Sequence, residues 1–128
     1  MKIKGFHHVA LICSDYEKSK HFYVDILGLS IIQETFRADK QSYKLDLRIS
    51  NGDIIELFSF PNPPVRVNYP EACGLRHLAF AVDNLKEFVA SLKSKGVAVE
   101  EIRQDEITGQ RFTFFKDPDN LPLEIYEI

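Results

Sequence analysis

A nine-residue stretch that occurs twice constrains this chain more than any other feature. Residues 5–13 read GFHHVALIC and residues 74–82 read GLRHLAFAV, so glycine, histidine and alanine recur at the same places while the apolar residues around them change. The first stretch aligns with the second at an offset of 69 residues. Further along the chain, GDIIELF (52–58) aligns with NLPLEIY (120–126) at an offset of 68 residues. Self-similarity of this kind indicates a duplicated structural unit.

A histidine and a glutamate occupy matching places in the two repeats. His8 aligns with His77, and Glu56 aligns with Glu124. Repeated packing would repeat apolar residues, whereas imidazole and carboxylate groups are ligands for divalent metal ions. These four residues are therefore candidate metal ligands. His7 is the competitor to His8, but it aligns with an arginine, which favours His8.

The segments between these residues predict the same order of elements in both halves. Asp15 and Asn84 are typical helix N-caps, and apolar residues at helical spacing follow each of them as far as Gly28 and Gly96, which are typical helix stops. The first helix is predicted over 16–27. Besides the repeated stretches, strands are predicted over 29–36, 42–50, 53–60, 97–103, 111–116 and 121–127. The order is βαβββ twice, an α+β fold.

Chain length and proline content predict the domain organisation. A chain of 128 residues can build one globular core but not two independent ones. Residues 61–73, PNPPVRVNYPEAC, contain four prolines and predict a linker. We predict one domain over 1–128, with module 1 at about 1–60, the linker at 61–73 and module 2 at about 74–128.

Composition excludes several classes of partner. The formal net charge is −3, with lysine and arginine scattered along the chain, which argues against a nucleic-acid-binding protein. No apolar run approaches the roughly 20 residues of a membrane span. The two cysteines are far apart and form no CxxC motif. A reduced, cytoplasmic protein with no membrane or nucleic-acid partner is expected.

Strand alternation places each histidine on a face with small neighbours. His8 shares its face with Ala10 and Ile12, and His77 shares its face with two alanines. The larger apolar residues fall on the other face, where we expect the helix to pack. The histidine face therefore leaves open volume, as a small-molecule pocket requires.

Motifs along almost the whole chain point to one family. They are HVALICSD (8–15), FY (22–23), LGL (27–29), EL (56–57), RHLAFAVD (76–83) and DPDNLPLE (117–124). With them the chain resembles the vicinal oxygen chelate superfamily, and most closely its glyoxalase I-like members. The resemblance implies an open, cup-shaped mixed sheet around a divalent metal (Ni, Zn, Co, Mn or Fe) with His8, Glu56, His77 and Glu124 as ligands. It also implies a homodimer with the site at the interface; whether the site lies within one chain or between two is open.

The same resemblance implies a reaction. Glyoxalase I-like enzymes move a proton beside a carbonyl through a metal-chelated enediolate, acting on the hemithioacetal of a 2-oxoaldehyde and a thiol. Glu124 is the expected base, with Glu56 as the alternative. The expected partner is thus a small molecule, such as a thiol adduct.

The expected substrate pocket departs from glyoxalase I. Its candidate residues are Ile12, Phe58, Phe60 and Arg111. Bacterial glyoxalase I usually has arginine at the place of Ile12 and asparagine at the place of Phe60, both of which contact glutathione, so a different thiol or a more apolar substrate is expected. The alternatives are a metal-free binding module of the bleomycin-resistance type, an enzyme like methylmalonyl-CoA epimerase, and one like the fosfomycin-resistance enzymes.

Overall fold

A strand, a helix and three further strands follow one another in each half of the chain. The computed structural model describes all 128 residues. The elements are β1 (Val9–Cys13), α1 (Tyr16–His21), β2 (Ser30–Arg37), β3 (Ser42–Arg48), β4 (Ile54–Ser59), β5 (Leu78–Val82), α2 (Leu85–Ser94), β6 (Arg103–Gln104), β7 (Arg111–Lys116) and β8 (Pro122–Glu127). The predicted α+β class and tandem βαβββ order are confirmed. The chain divides into two compact units, Met1–Val65 and Arg66–Ile128, and the boundary falls within the predicted linker.

Each unit contains its own four-stranded mixed sheet, and neither sheet is closed. The strand orders are β1-β4-β3-β2 and β5-β8-β7-β6. The first and last strands of each unit run parallel, and the remaining pairs are antiparallel. One face of each sheet supplies the core, whose fully buried side chains include Leu45, Leu57, Leu123 and Ile125.

Both helices begin at the residues that the sequence predicts. The side chain of Asp15 accepts a hydrogen bond from the Lys18 N–H at 3.2 Å, and that of Asn84 accepts one from the Glu87 N–H at 3.1 Å. After α1 the chain continues as a π-helical turn over Phe22–Ile26, a widening that helical spacing did not predict. Neither helix is long and apolar enough to span a membrane.

The strand predicted over 97–103 is largely wrong, because only Arg103–Gln104 pairs as a strand. The Glu100 N–H does donate to the Phe114 carbonyl at 3.0 Å. The Glu100 carbonyl, however, accepts from the Thr113 hydroxyl at 2.8 Å instead of from a backbone N–H of β7. The segment thus lies beside β7, and a side chain takes the place of the backbone ladder.

Candidate metal centre

The first histidine–glutamate pair is formed across the parallel strands β1 and β4. Ala10 lies opposite Glu56 in the strand register, and His8 precedes Ala10 by two residues, just before β1 begins. Residues two apart face the same side of a sheet, so His8 and Glu56 meet on that side. The His8 Nδ1 and the Glu56 Oε2 are 3.5 Å apart.

The second pair is formed in the same way across β5 and β8. Ala79 lies opposite Glu124, and His77 again precedes the alanine by two residues. The His77 Nε2 and the Glu124 Oε2 are 2.9 Å apart, a hydrogen-bonding distance. The sequence repeat is therefore also a repeat of backbone register, which places a histidine beside a glutamate in each sheet.

Both glutamates are well shielded from solvent. The side chains of Glu56 and Glu124 are each 14% exposed, whereas those of His8 and His77 are 39% and 25% exposed. A shielded carboxylate requires a compensating partner, which is a histidine in each case. Glu56 also has a cationic neighbour, because the Lys44 Nζ lies 3.9 Å from its Oε1.

His7 contacts its neighbour instead of a carboxylate. Its Nδ1 lies 2.9 Å from the Nδ1 of His8, and the two rings meet edge to face with centroids 5.2 Å apart. The glutamate of this unit pairs with His8. The structure therefore brings His8 into the candidate site and leaves His7 beside it.

Three of the four predicted pocket residues lie on the face of Glu56. Ile12 is 59% exposed and continues the side of β1 that carries Ala10. Phe58 lies opposite Ile12, and its ring stacks on that of Phe60 with centroids 6.2 Å apart. These three side chains form an apolar part of the face that carries Glu56.

Arg111 does not belong with the other predicted pocket residues. Its guanidinium makes two hydrogen bonds of 2.9 Å to the carboxylate of Glu127, which also accepts the backbone N–H of Leu85 at the start of α2. Glu127 is an odd number of residues from Glu124 along β8, so this ion pair lies on the opposite, helix-covered face. The structure thus places Arg111 apart from the other predicted pocket residues, where its partner Glu127 anchors the start of α2.

Arg37 also lies on the Glu56 face, and the sequence did not identify it. The guanidinium carbon of Arg37 lies 4.9 Å from the ring centroid of Phe58 and 5.7 Å from that of Phe60. Arg37 ends β2, and its face depends on the strand pairing around the 3₁₀ turn Ala38–Lys40. No motif in the sequence marks that pairing.

The second unit contains a cavity of about 870 Å³ next to His77. Phe114 lines it and holds the His77 ring edge-on, with centroids 5.1 Å apart. The cationic side chains of Arg66 and Arg76 also line it, although Arg76 is already paired with Glu71 at 2.6 Å. The volume is that of a pocket for a small organic molecule.

The donor chemistry of the two pairs fits a divalent metal ion. Each pair offers one imidazole nitrogen and one carboxylate oxygen, a mixed set that Mn, Fe, Co, Ni and Zn all accept. Two ligands are fewer than the three or four protein ligands of well-formed metal sites. The structure contains no group of three or more histidine, cysteine, aspartate or glutamate side chains placed to hold a metal ion. Neither pair is thus a complete metal site by itself.

Two relatives match this chain over nearly its whole length. The uncharacterized protein YwkD of Bacillus subtilis is 60% identical, with 99% of both chains covered. The uncharacterized protein YaeR of Escherichia coli is 54% identical, covering 98% of this chain and 97% of YaeR. The crystal structure of a glyoxalase family protein from Enterococcus faecalis is 45% identical, covers 99% of this chain and all of that one, and superposes with a TM-score of 0.91.

More distant relatives are named for three different reactions. A manganese-dependent 2,3-dihydroxybiphenyl 1,2-dioxygenase from Geobacillus is 31% identical over 98% of this chain and 37% of its own. The metallothiol transferase FosB of Staphylococcus saprophyticus and the lactoylglutathione lyase of Schizosaccharomyces pombe are 27% and 26% identical. The family model for the glyoxalase/bleomycin resistance protein/dioxygenase superfamily matches residues 5–125. This chain therefore belongs to the glyoxalase/bleomycin resistance protein/dioxygenase superfamily.

Proposed function

We propose that the protein is a divalent-metal-dependent enzyme that transfers a proton beside a carbonyl group, as a glyoxalase I-like lyase does. The observation that carries the proposal is the repeated register: a histidine two residues before an alanine, and a glutamate opposite that alanine, in both sheets. Packing of the sheets does not require the same two polar residues in both units. A metal site, in contrast, would use the imidazole and carboxylate groups of both pairs as ligands.

The proposed ligands are His8, Glu56, His77 and Glu124. A bound divalent ion would supply a Lewis acid that polarises substrate oxygens. Two imidazoles and two carboxylates match such an ion in donor type and charge. The names of two relatives support a metal in this family, the manganese-dependent dioxygenase and the metallothiol transferase.

The proposed base is Glu124. Its carboxylate contacts His77 at 2.9 Å, whereas the carboxylate of Glu56 is shared between His8 and Lys44. Glu124 thus has fewer partners that compete for its oxygens. In the proposed reaction a Glu124 oxygen takes the proton from the carbon beside a carbonyl and returns it to the neighbouring carbon.

The apolar surface beside Glu56 bears on the choice of substrate. Ile12 and Phe60 stand where glutathione contacts are expected in a glyoxalase I, and both lie on the face that carries Glu56. We expect weak turnover of the glutathione–methylglyoxal hemithioacetal and faster turnover of an adduct of another thiol. Efficient turnover of the glutathione adduct would show that this interpretation of Ile12 and Phe60 is wrong.

Metal binding is tested first, by elemental analysis of protein reconstituted separately with Mn, Co, Ni and Zn. We expect one ion per chain in the wild type and a loss of stoichiometric metal in His77→Ala. His21→Ala is the matched control, because His21 is exposed on α1 and contacts Asp25. Unchanged metal content in His77→Ala, with the fold intact by circular dichroism, would refute the ligand assignment.

Catalysis is tested with a panel of hemithioacetals and a CoA-thioester epimerisation substrate in D₂O. The expected result is metal-dependent incorporation of deuterium at the carbon beside the carbonyl. The absence of exchange with every metal and substrate would contradict the mechanism. The alternative is a metal-free binding module, which these experiments must distinguish because the structure contains no group of three potential metal ligands. A chain that takes up no metal but binds small molecules would be such a module.

We also propose that the chain forms a homodimer. Several large apolar side chains on β1 and β2 are exposed, with exposed fractions of 59% for Ile12, 46% for Ile31 and 53% for Phe36. Exposed apolar residues on strands favour association, because association removes them from water. A monomeric mass of 14.8 kDa by light scattering at micromolar concentration would contradict the dimer.

A further inference from the structure

Arg37 has an unusual environment on the Glu56 face of the first sheet. Its guanidinium lies over the rings of Phe58 and Phe60, at 4.9 and 5.7 Å from their centroids. One of its Nη groups donates to the hydroxyl of Ser42 at 2.8 Å. Its Nε is buried and has no hydrogen-bond partner.

The charge of Arg37 has no counter-charge in the chain. None of the ion pairs in the structure includes Arg37. The side chain is half-buried, and shielding a cation without an anionic partner costs free energy that stacking on aromatic rings offsets only in part. A guanidinium in this state is suited to bind an oxyanion, because its fork of N–H donors matches carboxylate and phosphate oxygens.

The position of Arg37 relates it to the proposed site. Phe58, which the guanidinium covers, follows Glu56 by two residues and shares its face, a step of about 7 Å along a strand. Ile12 lies opposite Phe58 on β1. The guanidinium therefore lies at one end of the surface that carries Glu56. Lys44 lies opposite Phe58 on the same surface, and its Nζ is already paired with Asp46 at 3.2 Å and lies 3.9 Å from Glu56.

We propose that Arg37 binds an anionic oxygen group of the substrate, a carboxylate or a phosphate, while the carbonyl end of the substrate lies at Glu56. This proposal rests on the proposed function for the carbonyl end. It defines the substrate class as a small anionic molecule whose charged group and reacting carbonyl are separated by roughly the two-residue backbone step from Glu56 to Phe58, about 7 Å.

The second unit supplies a matched comparison. Arg103 also lies over two rings, with its guanidinium carbon 5.0 Å from the centroid of Phe112 and 5.5 Å from that of Phe114. Unlike Arg37, it has a carboxylate partner, with its Nη2 3.5 Å from the Glu100 Oε1, and its side chain is 52% exposed. Stacking on aromatic rings is therefore common to both arginines, and the missing counter-charge distinguishes Arg37.

The first experiment uses metal-free protein, so that it is independent of the proposed metal site. Acetate and methylphosphonate are titrated separately against the arginine Nε–H signals in a nitrogen-15 correlation spectrum, and the Arg37 signal is assigned by its loss in Arg37→Lys. We expect the Arg37 signal to shift with saturation and the Arg103 signal to shift little. The anion that binds more tightly identifies the charged group. The absence of a saturable shift of Arg37 with either anion would overturn the proposal.

The second experiment measures discrimination in metal-loaded protein. Hexanohydroxamate, a neutral chelator, is compared by calorimetry with the monohydroxamate of adipic acid, which has the same chain length, adds a carboxylate and is long enough for the proposed spacing. We expect the wild type to bind the carboxylate-bearing chelator more tightly by about tenfold or more, the effect of one charged hydrogen bond. Arg37→Met should abolish this preference and Arg37→Lys should keep part of it, while Lys93→Met, which removes an exposed cation on α2, should keep it in full.

These two readouts separate the two proposals. If the protein takes up no metal, the proposed function fails, and the spectrum of the metal-free protein still decides whether Arg37 binds an anion. If metal binds and Arg37→Met discriminates between the chelators as the wild type does, the role of Arg37 is refuted. Thermal unfolding of each variant checks that the loss of preference does not result from loss of the fold.

Discussion

The two units keep the same histidine–glutamate pair but differ in the residues around it. In the first unit the pair is open, with the His8 and Glu56 atoms 3.5 Å apart and Lys44 nearby. In the second unit the pair is closed, with the His77 and Glu124 atoms 2.9 Å apart. The duplicated backbone register therefore fixes where the polar pair lies, and the neighbouring side chains determine how tightly it is held.

Other matched positions of the two sheets have diverged further. By strand register Tyr43 corresponds to Arg111, and Ser59 corresponds to Glu127. In the first unit the Ser59 hydroxyl accepts the backbone N–H of Tyr43 at 3.0 Å, whereas in the second unit the same two positions form an ion pair. The helix-covered faces of the sheets thus tolerate either chemistry, which makes the unchanged histidine–glutamate pairs more informative.

The largest expected effect breaks the equivalence of the two glutamates. Glu124→Gln should lower kcat by about 10²- to 10⁴-fold while part of the metal affinity remains, because it removes the proposed base. Glu56→Gln should act mainly on metal affinity. Deuterium exchange measures kcat and metal titration measures metal affinity, with the exposed Glu106→Gln as control. Equal losses of kcat at saturating metal in the two variants would remove the distinction between the glutamates.

A second prediction compares the two cores at equivalent places. Leu57 and Ile125 are the residues that follow Glu56 and Glu124, and their side chains are 1% and 0% exposed. Replacing either by alanine should lower the free energy of unfolding by about 2–5 kcal/mol, through lost burial and the cavity left behind. Urea unfolding measures this, with Ile107→Ala as control because Ile107 is 96% exposed. A loss of stability within about 2–5 kcal/mol in one variant and outside it in the other would show that the two cores are not equivalent.

The repeat explains why so much could be predicted from the sequence. Capping residues and glycines predicted the helix ends, and the aligned histidines and glutamates anchored the register of the first and last strands of each unit. Arg111 was grouped with the pocket residues because no aligned polar residue marks which face of β7 is which, and successive side chains of a strand lie on opposite faces. Arg37 was missed because its environment depends on contacts between strands that local sequence does not encode.

A third prediction compares the two helix N-caps. Asp15→Ala should lower the free energy of unfolding by about 1 kcal/mol, because α1 loses the acceptor for the Lys18 N–H. Asn84→Ala should have the smaller effect, because the Glu127 carboxylate still accepts the Leu85 N–H at 2.8 Å at the start of α2. Urea unfolding at pH 7 measures both values, and the conservative Asp15→Asn should retain most of the stability. A larger loss in Asn84→Ala would show that Glu127 does not support the helix.

The smallest expected effect concerns pH and distinguishes the acidic groups of the two units. The Leu85 N–H, and then the Arg111 guanidinium, hold the pKa of Glu127 below its usual value of 4.5. In the first unit Lys20, and then Tyr16, likewise lower the pKa of Glu34. A carboxylate with a lowered pKa in the folded state adds stability above its unfolded pKa and loses it as the pH falls through the folded value.

Glu127→Gln should therefore be less stable than the wild type at pH 7, and the difference should shrink as the pH falls below about 4.5. Glu34→Gln should show the same trend from the first unit. Urea midpoints measured from pH 7 to pH 3 give both differences, and the double variant should show their sum, because Glu34 and Glu127 lie in different units. A gap between wild type and Glu127→Gln that stays constant over this range would mean that the charge of the Glu127 carboxylate does not carry the effect. No gap at any pH would reduce the role of Glu127 to accepting the Leu85 N–H, which a neutral glutamine oxygen can also do.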